Sequence, residues 1–81
     1  MFVELSVNPV GTNTDVRGAI DEALKVIDAS GLQYQPTPFG ACVEGEWDDV
    51  MSIVQVCHKQ LRETESRLIT IVRMGVYGNV D

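Results

Sequence analysis

The sequence predicts an α+β domain with the element order βαββαβ, in which two helices cover one face of a four-stranded antiparallel sheet. Three observations predict it. Residues 2–8 alternate apolar and polar side chains as a half-buried strand does, and residues 14–30 and 46–63 repeat apolar residues at helical spacing. The remaining segments, punctuated by Pro and Gly, are typical of three further strands. With 81 residues, we expect a single domain over 1–81.

The first strand, residues 2–8, alternates strictly. Its apolar positions are Val3, Leu5 and Val7, and its other face carries Phe2, Glu4, Ser6 and Asn8. Because successive side chains of a strand point to opposite faces, the apolar set is expected against the helices and the other set on the open side of the sheet. Pro9 and Gly11 are expected to end the strand.

The first helix, residues 14–30, is predicted from a single apolar stripe. The stripe comprises Val16, Ala19, Ile20, Ala23, Leu24 and Ile27. Thr14 or Thr12 is expected as the N-cap, with Asp15 in the first turn, where the helix dipole favours a carboxylate. Gly31 is the expected stop, because glycine tolerates the left-handed conformation that commonly ends helices.

A hairpin is predicted between the helices. The sequence LQYQPTPF, residues 32–39, is expected as an edge strand because Pro36 and Pro38 lack the N–H that a ladder requires. Gly40 permits a tight reversal into a second short strand, residues 41–44. The first and third strands of the chain then become the central strands of the sheet.

The second helix, residues 46–63, and a last strand, residues 67–74, complete the order. The predicted buried stripe of the helix comprises Trp47, Val50, Met51, Val54, Cys57 and Leu61. The last strand is RLITIVRM, and residues 75–81 are expected as a short tail. This order, with two right-handed crossovers, is the ferredoxin-like arrangement.

The face of the predicted sheet away from the helices mixes polar and apolar side chains. We expect it to carry Glu4, Ser6, Asn8, Thr37, Cys42, Glu44, Thr70 and Val72. A solvated surface explains the mixture, and so does a subunit interface that holds a polar ligand. The small size of the domain favours the second interpretation, since so short a chain buries only about 60% of its unfolded surface.

Composition excludes several classes of function. The net charge of −6 disfavours a protein that binds the phosphate backbone of nucleic acids. There is neither an apolar run of about 18 residues for a membrane span nor a visible signal peptide, so a cytoplasmic location is expected. Cys42 and Cys57 lack metal-binding spacing and are expected as reduced thiols, with no metal site.

Catalytic motifs are absent from the sequence. His58 is the only histidine and lies on the second predicted helix, without a nucleophile motif nearby. An enzyme of acylphosphatase type would need an Arg-bearing phosphate cradle after the first strand, and NPVGTNT has no Arg. No catalytic residue is assigned, and we expect a protein that is not an enzyme.

Three segments carry a resemblance that covers nearly the whole chain. VNPVGT at 7–12, LQYQPTPFGACVEGEWDDVM at 32–51 and RLITIVRM at 67–74 together resemble the small thiamine-binding protein family. The resemblance implies a ferredoxin-like fold that assembles into a dimer of dimers. It also implies non-enzymatic binding of thiamine or its hydroxymethylpyrimidine moiety, for transport, salvage or sequestration, with thiamine as a ligand rather than a cofactor. An ACT-like regulatory or assembly module that binds another small metabolite is the alternative.

Eight residues are candidates for binding a ligand of this class. Glu44 is the first, because a carboxylate accepts hydrogen bonds from an aminopyrimidine. Tyr34, Phe39 and Trp47 are candidates to cover the cationic ring, and Ser6, Asn8, Thr12 and Thr37 offer further hydrogen bonds. Purely structural roles are the alternatives for three of them. Glu44 would be a solvent-exposed strand residue, Trp47 a core residue that anchors its helix, and Thr12 the cap of a turn.

Overall fold

The computed structural model describes residues 1–11 and 14–76, and it has the predicted order of elements. The elements are β1 (Phe2–Pro9), α1 (Val16–Ala29), β2 (Gln33–Thr37), β3 (Gly40–Glu44), α2 (Trp47–Leu61) and β4 (Leu68–Gly75). The strands form one antiparallel sheet in the order β2-β3-β1-β4. The ferredoxin-like α+β fold is therefore confirmed, with β1 and β3 at the centre of the sheet.

The core lies between the two helices and one face of the sheet, called the helix face below. From the sheet it takes Val3, Leu5, Val7, Ala41 and Val43, and from the helices Ala19, Ile20, Ala23, Ile27, Val50, Cys57 and Leu61. No polar or charged residue is buried in the part of the chain that the structure describes. Because this core is wholly apolar, its stability comes from burial and packing rather than from buried polar pairs.

The ends of α1 correct one prediction and confirm another. The N-cap is Asp15 and neither of the predicted threonines: its Oδ1 accepts a hydrogen bond of 2.8 Å from the backbone N–H of Gly18. A carboxylate there satisfies a free helix donor and complements the dipole. Thr14 instead donates to the carbonyl of Gly11, and Thr12 lies outside the described residues. Gly31 follows the helix with a φ of 78°, as predicted.

The predicted stripe of α2 is correct at Val50, Val54, Cys57 and Leu61, but not at Met51, which is only half-buried and lies outside the core cluster, nor at the start of the helix. Val50, Cys57 and Leu61 are buried, and Val54 packs against them, but Trp47 is 56% exposed. Trp47 is the first residue of the helix, where the axis has only begun to run over the sheet. The interpretation of Trp47 as a core anchor is therefore wrong.

The register of β4 contradicts the prediction that Thr70 and Val72 lie on the side of the sheet away from the helices. Thr70 pairs with Val7 and Val72 pairs with Leu5, so both lie on the helix face. The hydroxyl of Thr70 is 2.7 Å from Nδ1 of His58 on α2. The opposite side of β4 carries Ile69, Ile71 and Arg73. Apolar β-branched residues occur on both faces of this strand, so alternation alone did not decide which set faces the helices.

The hairpin formed by β2 and β3 is confirmed. Thr37 pairs with Gly40 across a two-residue connection, and β2 lies at the edge of the sheet as its prolines predicted. Among the described residues, no helix is long and apolar enough to cross a membrane. β4 extends to Gly75, one residue beyond the predicted end of the last strand. The remainder of the predicted tail, residues 77–81, lies outside the described part of the chain.

Candidate functional site

The sheet surface away from the helices, called the open face below, is a grid of side chains fixed by the strand register. Its first row is Gln33, Glu44, Phe2 and Gly75, and its second row is Gln35, Cys42, Glu4 and Arg73. The third row is Thr37, Gly40, Ser6 and Ile71, and the fourth is Asn8 and Ile69. The prediction that Glu4, Ser6, Asn8, Thr37, Cys42 and Glu44 share this face agrees with the pairing.

A cavity of about 580 Å³ lies at the β2 side of the first two rows. It is lined by Leu32, Gln33, Tyr34, Gln35, Cys42 and Glu44. The lining combines a carboxylate, two side-chain amides and a thiol with apolar surface. Groups of this kind can accept and donate hydrogen bonds around a small polar heterocycle.

Phe2 supplies an aromatic ring in the same row as Glu44. Its ring occupies the space that a side chain on Gly75 would fill, so a larger residue at that position of β4 would displace the ring. The candidate aromatics named from the sequence did not include Phe2. The signal was nevertheless present, because strand alternation places Phe2 on the same face as Glu4 and Ser6.

A second polar group lies at the other end of the open face. Nδ2 of Asn8 donates to Oγ of Ser6 at 3.3 Å and to the carbonyl of Ile69 at 3.2 Å. Thr37 occupies the neighbouring third row. Glu44 is four positions along β3 from Gly40 in that row, which corresponds to about 14 Å at the rise of an extended strand. Within one chain, Glu44 therefore does not share a site with Asn8 and Thr37.

Of the three candidate aromatics, only Tyr34 lines the cavity beside Glu44, and it reaches that cavity from the helix face of β2. Tyr34 pairs with Val43 and so lies on the helix face, where its hydroxyl donates a 2.9 Å hydrogen bond to Oδ1 of Asp28 on α1. That hydrogen bond and the nearby negative charge raise the pKa of Tyr34. Phe39 lies in the hairpin connection and Trp47 at the start of α2, and each is 56% exposed.

Charge on the open face comes from two carboxylates and one guanidinium. Glu4 and Arg73 form an ion pair of 3.5 Å across neighbouring strands, with the side chain of Arg73 largely exposed and that of Glu4 about half exposed. Glu44 lies two positions from Cys42 along β3, beside the cavity. The described residues contain no group of acidic, Cys or His side chains that could hold a metal ion. His58 lies on the other side of the sheet, so the open face presents binding groups without a histidine.

Exposed isoleucines form the apolar part of the open face. Ile69 is 55% exposed and Ile71 is 48% exposed, and they occupy adjacent rows of β4. Neither was singled out from the sequence, because the prediction that Thr70 and Val72 lie on the open side placed Ile69 and Ile71 under the helices. The two isoleucines therefore leave exposed apolar surface beside the polar rows of the open face.

Comparison with known proteins gives a consistent family assignment. A family model described as thiamine-binding protein matches residues 3–80. UPF0045 proteins of Synechocystis and of Eremothecium gossypii are 30% and 32% identical to this chain over 93% and 91% of its length. The chain spans 63% of the Synechocystis protein and 72% of the Eremothecium protein, so both relatives are longer.

Solved structures of similar proteins share the fold. A Thermotoga maritima protein, for which a role in thiamine biosynthesis or salvage has been proposed, is 25% identical, with a TM-score of 0.79 over 89% of this chain and 77% of that one. A Streptococcus pneumoniae protein is 22% identical and has a TM-score of 0.86 over 98% of this chain and 88% of that one. The second likeness concerns the fold alone.

Proposed function

The chain belongs to the thiamine-binding protein family, and on this premise we propose that it binds thiamine or its hydroxymethylpyrimidine moiety without catalysing a reaction. The binding would serve transport, salvage or sequestration of the vitamin in the cytoplasm. The observation that carries the proposal is the cavity beside Glu44, whose lining combines a carboxylate, two side-chain amides and a thiol.

The chemistry of the cavity suits an aminopyrimidine. The carboxylate of Glu44 accepts hydrogen bonds from the exocyclic amine and shares a proton with a ring nitrogen, while the amides of Gln33 and Gln35 offer both donors and acceptors. The negative charge of Glu44 also favours a ligand with a cationic ring.

A second subunit would complete the site. Two copies packed through their open faces cover Ile69 and Ile71, which a monomer leaves about half exposed. If the twofold axis runs between the two packed faces and perpendicular to the strands, the strands of the two chains run in opposite directions. The fourth row of one chain then lies opposite the first row of the other. Asn8 and Thr37 of the partner chain then orient the ligand that Glu44 anchors.

In this proposal the aromatic side chain that covers the ligand also comes from the partner chain. Phe39 and Trp47 are exposed and able to contact a neighbouring chain, whereas Tyr34 is held on the helix face by Asp28. An aromatic face over a cationic ring contributes about 0.5–2 kcal/mol, depending on how completely water is excluded. Thr12 remains a predicted hydrogen-bonding residue outside the described part of the chain.

Calorimetric titration tests the function directly. Thiamine, thiamine phosphates and hydroxymethylpyrimidine are each titrated into the purified protein, and its oligomeric mass is measured in parallel. We expect saturable binding of thiamine and of hydroxymethylpyrimidine, since both contain the aminopyrimidine ring. A flat response to every compound would refute the proposal and would favour the ACT-like regulatory module.

A further inference from the structure

The wall of the proposed ligand cavity comes mostly from one short strand. Four of its six lining residues are contiguous, residues 32–35, and all but the first of these belong to β2. β2 is an edge strand of five residues that pairs with β3 alone, and its Pro36 has no N–H to donate. A strand with so few hydrogen bonds needs a further contact to hold the wall in one shape.

Tyr34 provides that contact. Its ring packs against the core from the helix face, and its hydroxyl donates a 2.9 Å hydrogen bond to Oδ1 of Asp28, six residues earlier in the last turn of α1. Within residues 1–11 and 14–76, this is the one hydrogen bond that joins β2 to a helix. The hydrogen bond also raises the pKa of Tyr34, so the hydroxyl remains a donor at neutral pH.

Asp28 lies where a helix by itself disfavours a carboxylate. The C-terminal end of a helix carries partial negative charge, and α1 has no basic residue in its last turn to offset that charge. Asp15, at the other end of α1, is instead favoured by the dipole and by its capping hydrogen bond. The hydroxyl of Tyr34 compensates the carboxylate of Asp28, so this aspartate stabilises the contact with β2 rather than the helix.

The turn between α1 and β2 transmits the contact to the cavity. The hydroxyl of Ser30 accepts a 3.1 Å hydrogen bond from the N–H of Leu32, which fixes the turn itself. The hydrogen bond from Tyr34 to α1 then closes the turn from the strand side. Because successive side chains of a strand alternate, holding Tyr34 on the helix face also directs Gln33 and Gln35 to the open face.

We propose that Tyr34 and Asp28 are positioning residues of the ligand site: their hydrogen bond fixes the wall that β2 contributes to the cavity, and the affinity for the ligand depends on it. This role presupposes the proposed function and acts through Gln33 and Gln35. Without the hydrogen bond, β2 gains freedom that the ligand must restrict on binding, so the same contacts give a lower affinity.

Amide hydrogen exchange followed by NMR tests the contact without a ligand. Tyr34→Phe keeps the ring and removes the hydroxyl, and we expect the amides of β2 to exchange at least about tenfold faster than in the wild type, while those of β1 are unchanged. Asp28→Ala should behave in the same way. Asp28→Asn retains an accepting oxygen and should restore slow exchange. Unchanged exchange of β2 in Tyr34→Phe would overturn the proposal.

Calorimetric titration with thiamine tests the effect on binding. Tyr34→Phe and Asp28→Ala should each bind at least about fivefold more weakly, which is the lower end of the coupling between separate sites. The double variant should bind no more weakly than either single variant, because both changes remove the same hydrogen bond. Asp21→Ala is the matched control, since it removes a carboxylate of α1 whose partner, Arg17, lies on the same helix. It should bind with wild-type affinity.

The comparison of affinity with stability separates positioning from a purely structural role. The titrations use conditions in which urea denaturation shows each variant to be folded. If Tyr34→Phe then binds as tightly as the wild type, or if Asp21→Ala loses as much affinity as Asp28→Ala, the positioning role is overturned while the proposed function stands. A wild type that binds neither thiamine nor hydroxymethylpyrimidine would overturn both, even with the expected exchange of β2.

Discussion

The two faces of the sheet are built from the same four strands but have different chemistry. On the helix face, β1 contributes Val3, Leu5 and Val7, all fully buried in a wholly apolar core. On the open face the same strand contributes Glu4, Ser6 and Asn8, and β4 adds two half-exposed isoleucines. The helix face is fully packed within one chain, whereas the open face combines polar side chains with exposed apolar surface.

This difference separates the face that stabilises the domain from the face on which we propose that the ligand binds. The helix face supplies the apolar burial that holds the chain folded. The open face contributes little to the fold of one chain, so its residues are free to be chosen for a ligand or a second subunit. The contrast can be tested by matched changes on the two sides of the same sheet.

The largest expected effect is on the free energy of unfolding. Leu5→Ala removes a side chain with 0% exposure and is expected to cost about 2–5 kcal/mol, because the truncation leaves a cavity in the core. Ile71→Ala removes a similar volume from the open face and is expected to cost less than about 1 kcal/mol in the monomer. Urea denaturation at a protein concentration that dissociates the assembly measures both. Equal costs would contradict the contrast between the faces.

The two thiols should differ strongly in reactivity, with the buried thiol the slower. Cys57 is fully buried under α2 and its Sγ is 3.8 Å from the carbonyl of Ala23, and burial raises the pKa of this thiol to about 11. Cys42 is half-buried on the open face, and both thiols are free. Since the thiolate is the reactive form, alkylation below pH 9 should label Cys42 first. Mass spectrometry follows the labelling, and the isolated Cys42→Ser protein should remain unlabelled until it unfolds.

The effect of Glu44 on ligand binding comes next. Glu44→Gln retains the size of the side chain and removes its charge, so it should weaken thiamine binding by about 1.5–3 kcal/mol, the range for charge-assisted hydrogen bonds. Glu4→Gln is the matched control, because it removes a carboxylate from the same face one row away from Glu44. Calorimetry on proteins of equal oligomeric mass compares them. Unchanged affinity in Glu44→Gln would show that the site lies elsewhere.

The smallest effect is expected at the ion pair between Glu4 and Arg73. The side chain of Arg73 is largely exposed and that of Glu4 about half exposed, so Arg73→Ala should lower the free energy of unfolding by only about 0.2–1 kcal/mol. The loss should shrink further in 1 M salt, because exposed charges are screened. Thermal unfolding at low and high salt measures it. A loss above 2 kcal/mol that persists in salt would show that another surface buries this pair.

Local patterns in the sequence determined most of the fold. The alternation of β1, the helical spacing of Ala19, Ala23 and Ile27, and the prolines of β2 each follow from the geometry of a single element. The helix stop at Gly31 has a similarly local cause. The residues of β1 and β3 on the open face were also predictable, because the alternate positions of those strands, Val3, Leu5, Val7, Ala41 and Val43, are all apolar and mark the helix face.

The tertiary structure alone decided the features that depend on two elements at once. Which residues of β4 face the helices follows from its register with β1. Because LITIVRM carries apolar residues on both faces, its sequence did not decide this, and Thr70 and Ile71 lie on the faces opposite to those predicted. Tyr34 faces the helices because β2 pairs with β3 in the register that sets it beside Val43. The distance between Glu44 and Asn8 likewise depends on the register between strands. The alternation within one strand does not determine that register.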